Sequence, residues 1–389
     1  MSEWKKVKLG ELYEVHNGLS KGRQFFGSGY PFLTFSHVFN NWFLPEILDS
    51  LVQSSEKERQ VCSIRRGDVF ITRTSETMDE LGMSSVALKD YPNATYNGFT
   101  KRLRPTTDKV LPEYIGYYLR SQKFRCKFMA FSSMTTRASL ANNDLLSMEV
   151  ELPEKATQHR IATILSRYDT LIENYQKQIK LLEEAAQRLY KEWFVDLHFP
   201  SHENTKIVDG VPEGWEKKPV DSIYSIKYGK NLSTKLISEN GEYPVYGANG
   251  VIGYYDKANC NEQVVLITSR GNGSGDVLMT YHKDAFITNN SFIVLPLEDY
   301  SYCQLPFTYQ FLKNANFRAV RTGAAQPQLT NQSIHTVDVV LPSKNIIIDY
   351  CDKVSYINNK IIILRKQIRL LTEARDRLLP KLMSGEIAV

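Results

Sequence analysis

The sequence of 389 residues has few cysteines, and no two of them form a Cys-x-x-Cys pair: Cys62, Cys126, Cys260, Cys303 and Cys351. This spacing excludes a zinc site of the usual cysteine type, and we expect reduced thiols with a structural role. No apolar run approaches the roughly 18 residues that a membrane-spanning helix needs. The N-terminus also lacks the apolar segment of a secretory signal, so we expect a cytoplasmic protein.

The sequence also lacks the motifs of common catalytic and nucleotide-binding sites. There is no Gly-x-x-x-x-Gly-Lys-Ser/Thr loop, so we do not expect ATP hydrolysis by this chain. The segment 271–275 has the spacing Gly-x-Gly-x-Gly, which favours a flexible surface loop over a dinucleotide site. His198 and His202 are four residues apart, but Pro200 between them disfavours the helix of a zinc-protease motif. These absences indicate a protein that binds and leaves catalysis to partners.

The chain contains an internal repeat. Residues 152–190 match residues 341–379 at 14 of 39 positions without a gap, where average composition would give about two or three matches. A second echo, at an offset of 211 residues, pairs Trp4 with Trp215 and Gly18 with Gly229. Because 42% of the residues are hydrophobic, each half has enough of them for a core of its own. The repeat predicts a chain built as domain, tail, domain, tail.

The apolar positions of each tail follow a 4,3,4,3 spacing that is typical of a coiled coil. In the first tail these seam residues are Ile161, Leu165, Tyr168, Ile172, Tyr175, Ile179, Leu182, Ala186, Leu189 and Trp193. In the second tail they are Tyr350, Val354, Ile357, Ile361, Leu364, Ile368, Leu371, Leu378 and Leu382, with Arg375 as the polar break. We expect two long helices that pair antiparallel; the alternative is two separate core helices of one large domain.

The globular segments show a mixed pattern of α and β structure. β-rich runs at 68–72, 262–268 and 291–295 are bounded by Gly, Asn or Pro, whereas 111–128 and 304–317 have helical patterns. We therefore predict an α+β fold, in which two mixed α/β domains are held apart by an antiparallel coiled coil of two long helices, with a pseudo-two-fold internal repeat. The predicted boundaries are 1–152 for the first domain, 153–200 for the first long helix and linker, 201–341 for the second domain and 342–389 for the second long helix.

Basic, hydroxyl and amide residues cluster in both globular segments, in the combination that phosphates and base edges require. The net charge of the chain is only +5, so charge alone identifies no partner. Each cluster by itself is also compatible with a solvated loop, and the recurrence in both halves is what favours DNA binding. In the first half the candidate DNA-binding residues are Lys21, Arg23, Thr72, Arg73, Thr74, Lys101, Arg102, Thr136 and Arg137. In the second half they are Lys230, Asn231, Ser233, Arg270, Asn272, Asn289, Asn290, Thr322 and Gln326.

This organisation resembles the specificity subunit of type I restriction-modification enzymes. Two variable domains each end in Leu-Pro before a heptad helix, as the domains of that family do. The segment Gly323-Ala-Ala-Gln-Pro-Gln-Leu-Thr330 is similar to the one that closes a target recognition domain in the family. The first domain has Thr135-Thr136-Arg137 near the corresponding place but no matching Gly-x-x-Gln-Pro segment, so its candidate contacts are assigned on less evidence.

The resemblance implies a non-catalytic subunit whose two target recognition domains each read one half of a bipartite, asymmetric site in double-stranded DNA. The long helices would set the distance between the halves and dock two modification subunits, which methylate adenine; the complex can add two restriction subunits. No cofactor is expected on this chain, whereas S-adenosylmethionine, ATP and magnesium are expected on the partners. The alternative is a non-catalytic coiled-coil adaptor whose globular heads bind protein or carbohydrate, which salt dependence of binding would distinguish.

Overall fold

The computed structural model of the protein describes residues 4–75, 80–131, 138–139, 141–323 and 326–389. Within these ranges the chain packs as two units: the first holds the residues up to Ile172 and those from Arg369 onward, and the second holds Glu173–Ile368. Each unit combines one mixed α/β domain with part of each long helix. This division passes through both helices, and the predicted domain boundaries stay predictions.

The strands are short and bounded by turns. The first half contains β1 (Lys5–Lys8), β2 (Tyr13–Asn17), β3 (Phe26–Leu33), β4 (Leu51–Val52), β5 (Val69–Thr72), β6 (Thr74–Ser75), β7 (Ser84–Val86), β8 (Thr95–Tyr96), β9 (Thr100–Pro105), β10 (Ala138–Ser139) and β11 (Glu149–Leu152). The second half contains β12 (Ile207–Val208), β13 (Val211–Pro212), β14 (Glu216–Pro219), β15 (Tyr224–Tyr228), β16 (Tyr243–Gly247), β17 (Gly250–Tyr255), β18 (Val265–Thr268), β19 (Val277–Met279), β20 (Phe286–Ile287), β21 (Ser291–Pro296) and β22 (Asp338–Leu341).

Two of the helices are much longer than the rest. The helices are α1 (Phe35–Asn40), α2 (Glu56–Val61), α3 (Pro112–Arg120), α4 (Gln122–Phe131), α5 (Asn142–Ser147), α6 (Lys155–Tyr190), α7 (Leu305–Lys313), α8 (Asn331–His335) and α9 (Lys344–Ser384). A π-helical turn at Lys191–Val195 follows α6. In the ranges that the structure describes, no helix is both long and apolar enough to span a membrane.

The helix predicted at 111–128 is two helices, α3 and α4, with a break at Ser121. Ser121 has extended backbone angles, its hydroxyl donates to Tyr118 O at 2.6 Å, and the same hydroxyl accepts a hydrogen bond from Phe124 N at 3.4 Å. A serine in this role caps the start of a helix, and such a cap competes with continuing the previous one. The strands predicted at 68–72, 262–268 and 291–295 are confirmed as β5, β18 and β21, with slightly different bounds.

Each domain is built on a four-stranded sheet and a three-stranded sheet. In the first domain the orders are β2-β9-β5-β7 and β4-β3-β8, and in the second they are β15-β21-β18-β19 and β17-β16-β20. The four-stranded sheets are antiparallel throughout, whereas β3–β8 and β16–β20 are parallel pairs. In each domain a separate antiparallel pair joins a strand near the start of the domain to the strand at its end: β1 with β11, and β14 with β22. The predicted α+β fold class and its internal repeat are therefore confirmed.

The inner strands of both four-stranded sheets are covered on both faces. On β5, Val69 and Ile71 belong to one core, and Phe70 belongs to another. On β18, Ile267 likewise belongs to one core and Leu266 to another. Successive side chains of a strand point to opposite faces, so the apolar runs 69–71 of β5 and 265–267 of β18 supply residues to a core on each side of the sheet.

Gly18 and Gly229, the glycines that recur 211 residues apart, each make the same close backbone contact, which explains why both positions are glycine. A Cβ added to Gly18 would lie 2.2 Å from Asn97 O, and one added to Gly229 would lie 2.3 Å from Thr288 O. The next residue on each segment, Leu19 or Lys230, forms a parallel bridge with the same partner. No side chain fits at such a distance, so only glycine lets the two segments approach.

In the first unit the two long helices pack against each other in antiparallel fashion. Leu165 on α6 shares a core with Leu382 on α9. Four residues further along α6, Asp169 Oδ1 accepts a hydrogen bond at 2.6 Å from Nη1 of Arg375, which precedes Leu382 on α9. The Tyr117 hydroxyl of the globular domain donates to the other oxygen of Asp169. The polar break in the seam therefore makes an ion pair that ties both helices to the domain.

In the second unit the helices also run antiparallel. Arg365 Nη2 donates to Glu183 Oε1 at 2.9 Å, and the Tyr350 hydroxyl donates to Ala186 O at 3.3 Å. The Arg365 guanidinium stacks 3.8 Å from the ring centroid of Tyr281. Every predicted seam residue of α6 and α9, and Trp193 beyond α6, is buried or half-buried. The sequence prediction of paired helices is thus confirmed within each unit.

We predict that Arg375→Met lowers the free energy of unfolding by about 1–3 kcal/mol, because Asp169 loses its charged partner at a mostly buried position. Arg369→Met on the same helix is the matched control, since its 3.8 Å ion pair with Glu373 is half-exposed and such pairs contribute less than about 0.5 kcal/mol. Urea unfolding followed by circular dichroism measures both changes. Equal losses in the two variants would contradict a special role for Arg375.

Candidate nucleic-acid interface

One edge of the four-stranded sheet in the second domain collects the loops that carry the predicted residues. The antiparallel register pairs Tyr228 with Phe292 and Thr268 with Ser291. As a result, β15 and β18 end at the edge where β21 begins. We call this surface the second-domain edge; it comprises residues 229–233, 269–276, 288–290, 321–323 and 326–328.

Backbone hydrogen bonds join the loops of the second-domain edge. Asn289 N donates to Lys230 O at 3.0 Å, and Ser269 N donates to Asn290 O at 2.8 Å. The Ser269 hydroxyl also donates to Asn289 O at 3.1 Å. The segments after β15, after β18 and before β21 are therefore held as one surface.

Residues 321–323 and 326–328 complete this edge. Arg270 forms an antiparallel bridge with Gln328, and Thr322 N donates to Gln328 O at 2.9 Å. Gly323 has a φ of +84°, which glycine adopts without strain. Arg321 Nη1 donates to Asn272 O at 3.4 Å and brings another guanidinium to the edge. Arg321 was not among the predicted residues, although its neighbour Thr322 was.

Most predicted residues of the second half are available to a ligand. Residues Lys230, Asn231, Ser233, Arg270, Asn272, Thr322 and Gln326 are exposed, and Asn289 and Asn290 are half-buried. The structure therefore gathers Lys230, Arg270, Asn272, Asn289, Asn290, Thr322 and Gln326 on joined loops at one edge, and Asn231 and Ser233 follow Lys230 along the chain. Their cationic, hydroxyl and amide groups are those that bind phosphates and read base edges.

The glycine-rich loop 271–275 is a turn of the second-domain edge that is held by hydrogen bonds. It leads from β18 into β19, whereas a dinucleotide loop would lead from a strand into a helix. Ser274 is buried, and its hydroxyl donates to Ser269 O at 3.3 Å. Among the described residues, no three His, Cys, Asp or Glu side chains are grouped as metal ligands would be.

The first domain has a corresponding edge, where β2 and β5 end and β9 begins. Asn17 pairs with Lys101, and Thr72 pairs with Thr100. Arg73 N donates to Phe99 O at 3.0 Å, and its Nη1 donates to Gly98 O at 3.4 Å. We call this surface the first-domain edge; it comprises residues 18–23, 73–74 and 97–99. Arg23 is exposed on it, and Arg73 is half-buried.

Lys21 is held by protein groups on its own domain. Its Nζ donates to Gln53 O at 2.8 Å and lies 2.8 Å from a carboxylate oxygen of Glu58. The hydrogen bond from Lys21, followed by that from the Ser55 backbone, lowers the pKa of Glu58. A DNA phosphate would have to compete with this ion pair for Lys21.

Thr72, Lys101 and Arg102 lie inside the first domain. The Thr72 hydroxyl donates to Glu80 O at 2.6 Å, and the Lys101 ammonium donates to Asn142. Arg102 is 2% exposed, and its Nη1 donates to backbone carbonyls that include Ser63 O at 2.7 Å. Burial, and then repulsion from Arg73, lowers the pKa of Lys101. These placements favour structural roles, and the prediction that the three residues bind DNA stays untested.

The remaining predictions in the first domain concern its closing segment. Thr136 and Arg137 lie outside the described residues. Thr74 lies on β6, where its backbone pairs with Ser139 of β10. In the second domain Arg270 pairs with Gln328 at the equivalent place, 189 residues after Ser139. The first domain therefore closes with the same strand pairing even though its sequence lacks the Gly-x-x-Gln-Pro pattern.

We predict that Arg102→Ala lowers the free energy of unfolding by about 2–3 kcal/mol, because it leaves buried carbonyls without their charged donor. Arg23→Ala removes an exposed side chain, and its effect on stability should stay within about 0.5 kcal/mol. Thermal and urea unfolding of the two variants measure the difference. An Arg102→Ala variant as stable as the unsubstituted chain would show that the buried position is wrong.

Comparison with known proteins identifies the family. The family model described as the type I restriction modification DNA specificity domain matches residues 1–184 and 212–370, once in each half. The chain is 27% identical over 421 residues to the type I restriction enzyme MjaIX specificity subunit of Methanocaldococcus jannaschii, covering 100% of this chain and 94% of the relative. It is 24% identical over 480 residues to the HindI specificity subunit of Haemophilus influenzae, covering 100% of both chains.

The fold is also known from a solved structure. The crystal structure of the S subunit of a type I restriction-modification system from M. genitalium superposes with a TM-score of 0.57 and 19% sequence identity. The match covers 97% of this chain and 96% of that one, so the two proteins share the whole fold. The chain therefore belongs to the family of the type I restriction modification DNA specificity domain, whose members are recognition subunits that supply DNA sequence specificity.

Proposed function

We propose that this chain recognises a bipartite site in double-stranded DNA, with one domain reading each half. The observation that carries the proposal is that the two domains share sheet order, strand register and the close glycine contact, yet present different side chains at the same edge. Two unlike readers require two unlike half-sites, whereas a dimer of identical readers would require a palindrome. The target should therefore be asymmetric.

The second-domain edge supports direct contacts with DNA. Arg270 and Lys230 are exposed cations that can bind phosphate or guanine, and Asn272 and Gln326 carry exposed amides that can pair with adenine. The first-domain edge offers Arg23 and Arg73 for the same purposes. The edges would thus divide the work between positioning on phosphates and reading bases.

We further propose that α6 and α9 set the spacing between the half-sites and dock the modification subunits. Each helix keeps large apolar side chains outside the buried seam: Leu171 and Leu181 on α6 are 43% and 65% exposed, and Ile363 and Leu370 on α9 are 50% and 49% exposed. These side chains lie outside the seam that pairs the two helices, so they leave apolar surface that a partner protein could cover.

We assign the chemistry to the partners. Two modification subunits would use S-adenosylmethionine to methylate adenine, and two restriction subunits would add ATP- and magnesium-dependent activity. This chain would bind no cofactor itself and would act in the cytoplasm, where the DNA is. Co-purification with a co-expressed modification subunit, followed by mass measurement of the complex, tests the stoichiometry.

We predict that DNA binding by the complex weakens steeply with salt, with the slope of log affinity against log salt near −0.9 per phosphate contact. The variant Lys230→Ala/Arg270→Ala should make this slope shallower by about 1–2, because each phosphate contact contributes about one. Fluorescence anisotropy between low and moderate salt measures both slopes. Binding that ignores salt would favour the adaptor for protein or carbohydrate.

We predict that deleting one facing heptad from each of α6 and α9 shortens the spacer of the target and leaves both half-site sequences unchanged. Seven residues of helix span about 10 Å, which corresponds to about three base pairs of DNA. Genome-wide mapping of methyladenine in a strain that carries the variant gives the spacer directly. Deleting a heptad from α9 alone is the control, since it breaks the pairing. A paired deletion that methylates the original target would refute the proposal.

A further inference from the structure

Phe99 and Asn290 occupy the same place in the two domains. Each immediately precedes the first residue of the central strand, Thr100 of β9 or Ser291 of β21. Arg73 N donates to Phe99 O at 3.0 Å, and Ser269 N donates to Asn290 O at 2.8 Å. The two positions therefore have the same strand register and the same backbone partner.

The turns that carry these residues are also built alike. Thr100 N donates to Asn97 O at 3.0 Å, and Ser291 N donates to Thr288 O at 3.2 Å. These are the carbonyls against which Gly18 and Gly229 pack. The shared turn fixes where the backbone of either residue lies and leaves the side chain as the variable element.

The two side chains at this position have opposite chemistry. The Phe99 side chain is 60% exposed, and its ring contacts no other aromatic ring in the described part of the chain. Asn290 is half-buried, and its carboxamide makes no hydrogen bond with another described residue. As far as the described residues go, each side chain is available to a ligand: Phe99 with an apolar surface, and Asn290 with a donor and an acceptor.

The surroundings favour base contacts over phosphate contacts at this position. Cationic neighbours, Arg73 in the first domain and Arg270 in the second, can bind phosphates beside it. A phenylalanine ring offers no hydrogen bond to a phosphate, but it can pack against the methyl group of thymine in the major groove. An asparagine carboxamide can form paired hydrogen bonds with the edge of adenine.

We propose that this position determines base preference in both domains, with Phe99 favouring thymine through apolar contact and Asn290 favouring adenine through hydrogen bonds. The inference rests on the proposed function, since it requires that each edge faces one half of the target. It adds Phe99, which the basic and polar clusters of the sequence do not include, to the specificity-determining residues.

The test selects target sequences from random DNA with the whole complex of this chain and its co-expressed modification subunit. Phe99→Ala should reduce discrimination at one base pair of one half-site by at least fivefold, and Asn290→Ala should do so in the other half. Phe99→Asn should replace the thymine preference with an adenine preference at the same base pair. The remaining positions of each half should keep their preferences.

Ile47→Asn is the matched control, because Ile47 is 77% exposed in the same domain but lies away from the first-domain edge. It closely follows Leu44, whose backbone N donates to Val86 O at the opposite end of the sheet. The substitution should leave base preference unchanged. Unchanged preferences in both alanine variants, changes in the same half, or a uniform loss of affinity for all sequences would each overturn the inference. A wild-type complex that selects no sequence would instead overturn the proposed function. Because Phe99 is exposed, its variants test the inference even if those at Asn290 fail to fold.

Discussion

One close backbone contact in each domain constrains the edge at which the candidate residues lie. Gly18 packs on Asn97 O, and Gly229 packs on Thr288 O, at distances that admit no side chain. This contact holds the segment after the outer strand against the turn before the central strand. The strand register brings the loops of three neighbouring strands to one edge, and the glycine contact keeps two of these loops close together. Because this contact is made by backbone atoms, the side chains at the edge can differ between the two domains without changing it.

The two domains share their strands and backbone contacts but differ in the side chains at their edges. Under the proposed function, this difference is how one chain reads two different sequences. The buried strands, the β1–β11 and β14–β22 pairs and the glycine contact are common to both domains. The edge of the second domain is rich in exposed amides and cations, whereas that of the first has few exposed cations beside the ring of Phe99. The helix seam serves a different purpose, because its ion pair between Asp169 and Arg375 joins helices and domain within one unit.

Sequence periodicity predicted the parts of the fold that depend on apolar packing. The seam residues and the repeat followed from spacing, and the Gly18/Gly229 echo marked a contact whose reason only the structure shows. Clusters of charged residues in the sequence are less informative about which side chains are exposed, because the sequence does not tell which face of a strand is covered. Lys101 and Arg102 looked like a basic patch, yet β9 is an inner strand and both residues are buried. In the second domain the residues lie on loops between strands, where exposure is the rule.

Site-specific photocrosslinking tests the central claim, two unlike readers on one chain, most directly. A benzoylphenylalanine placed at Arg23 in one preparation of the complex, and at Asn272 in another, reports which bases each edge approaches. The account predicts that the two positions crosslink to opposite halves of the methylated target. Crosslinks from both positions to the same half, with the other half untouched, would contradict it.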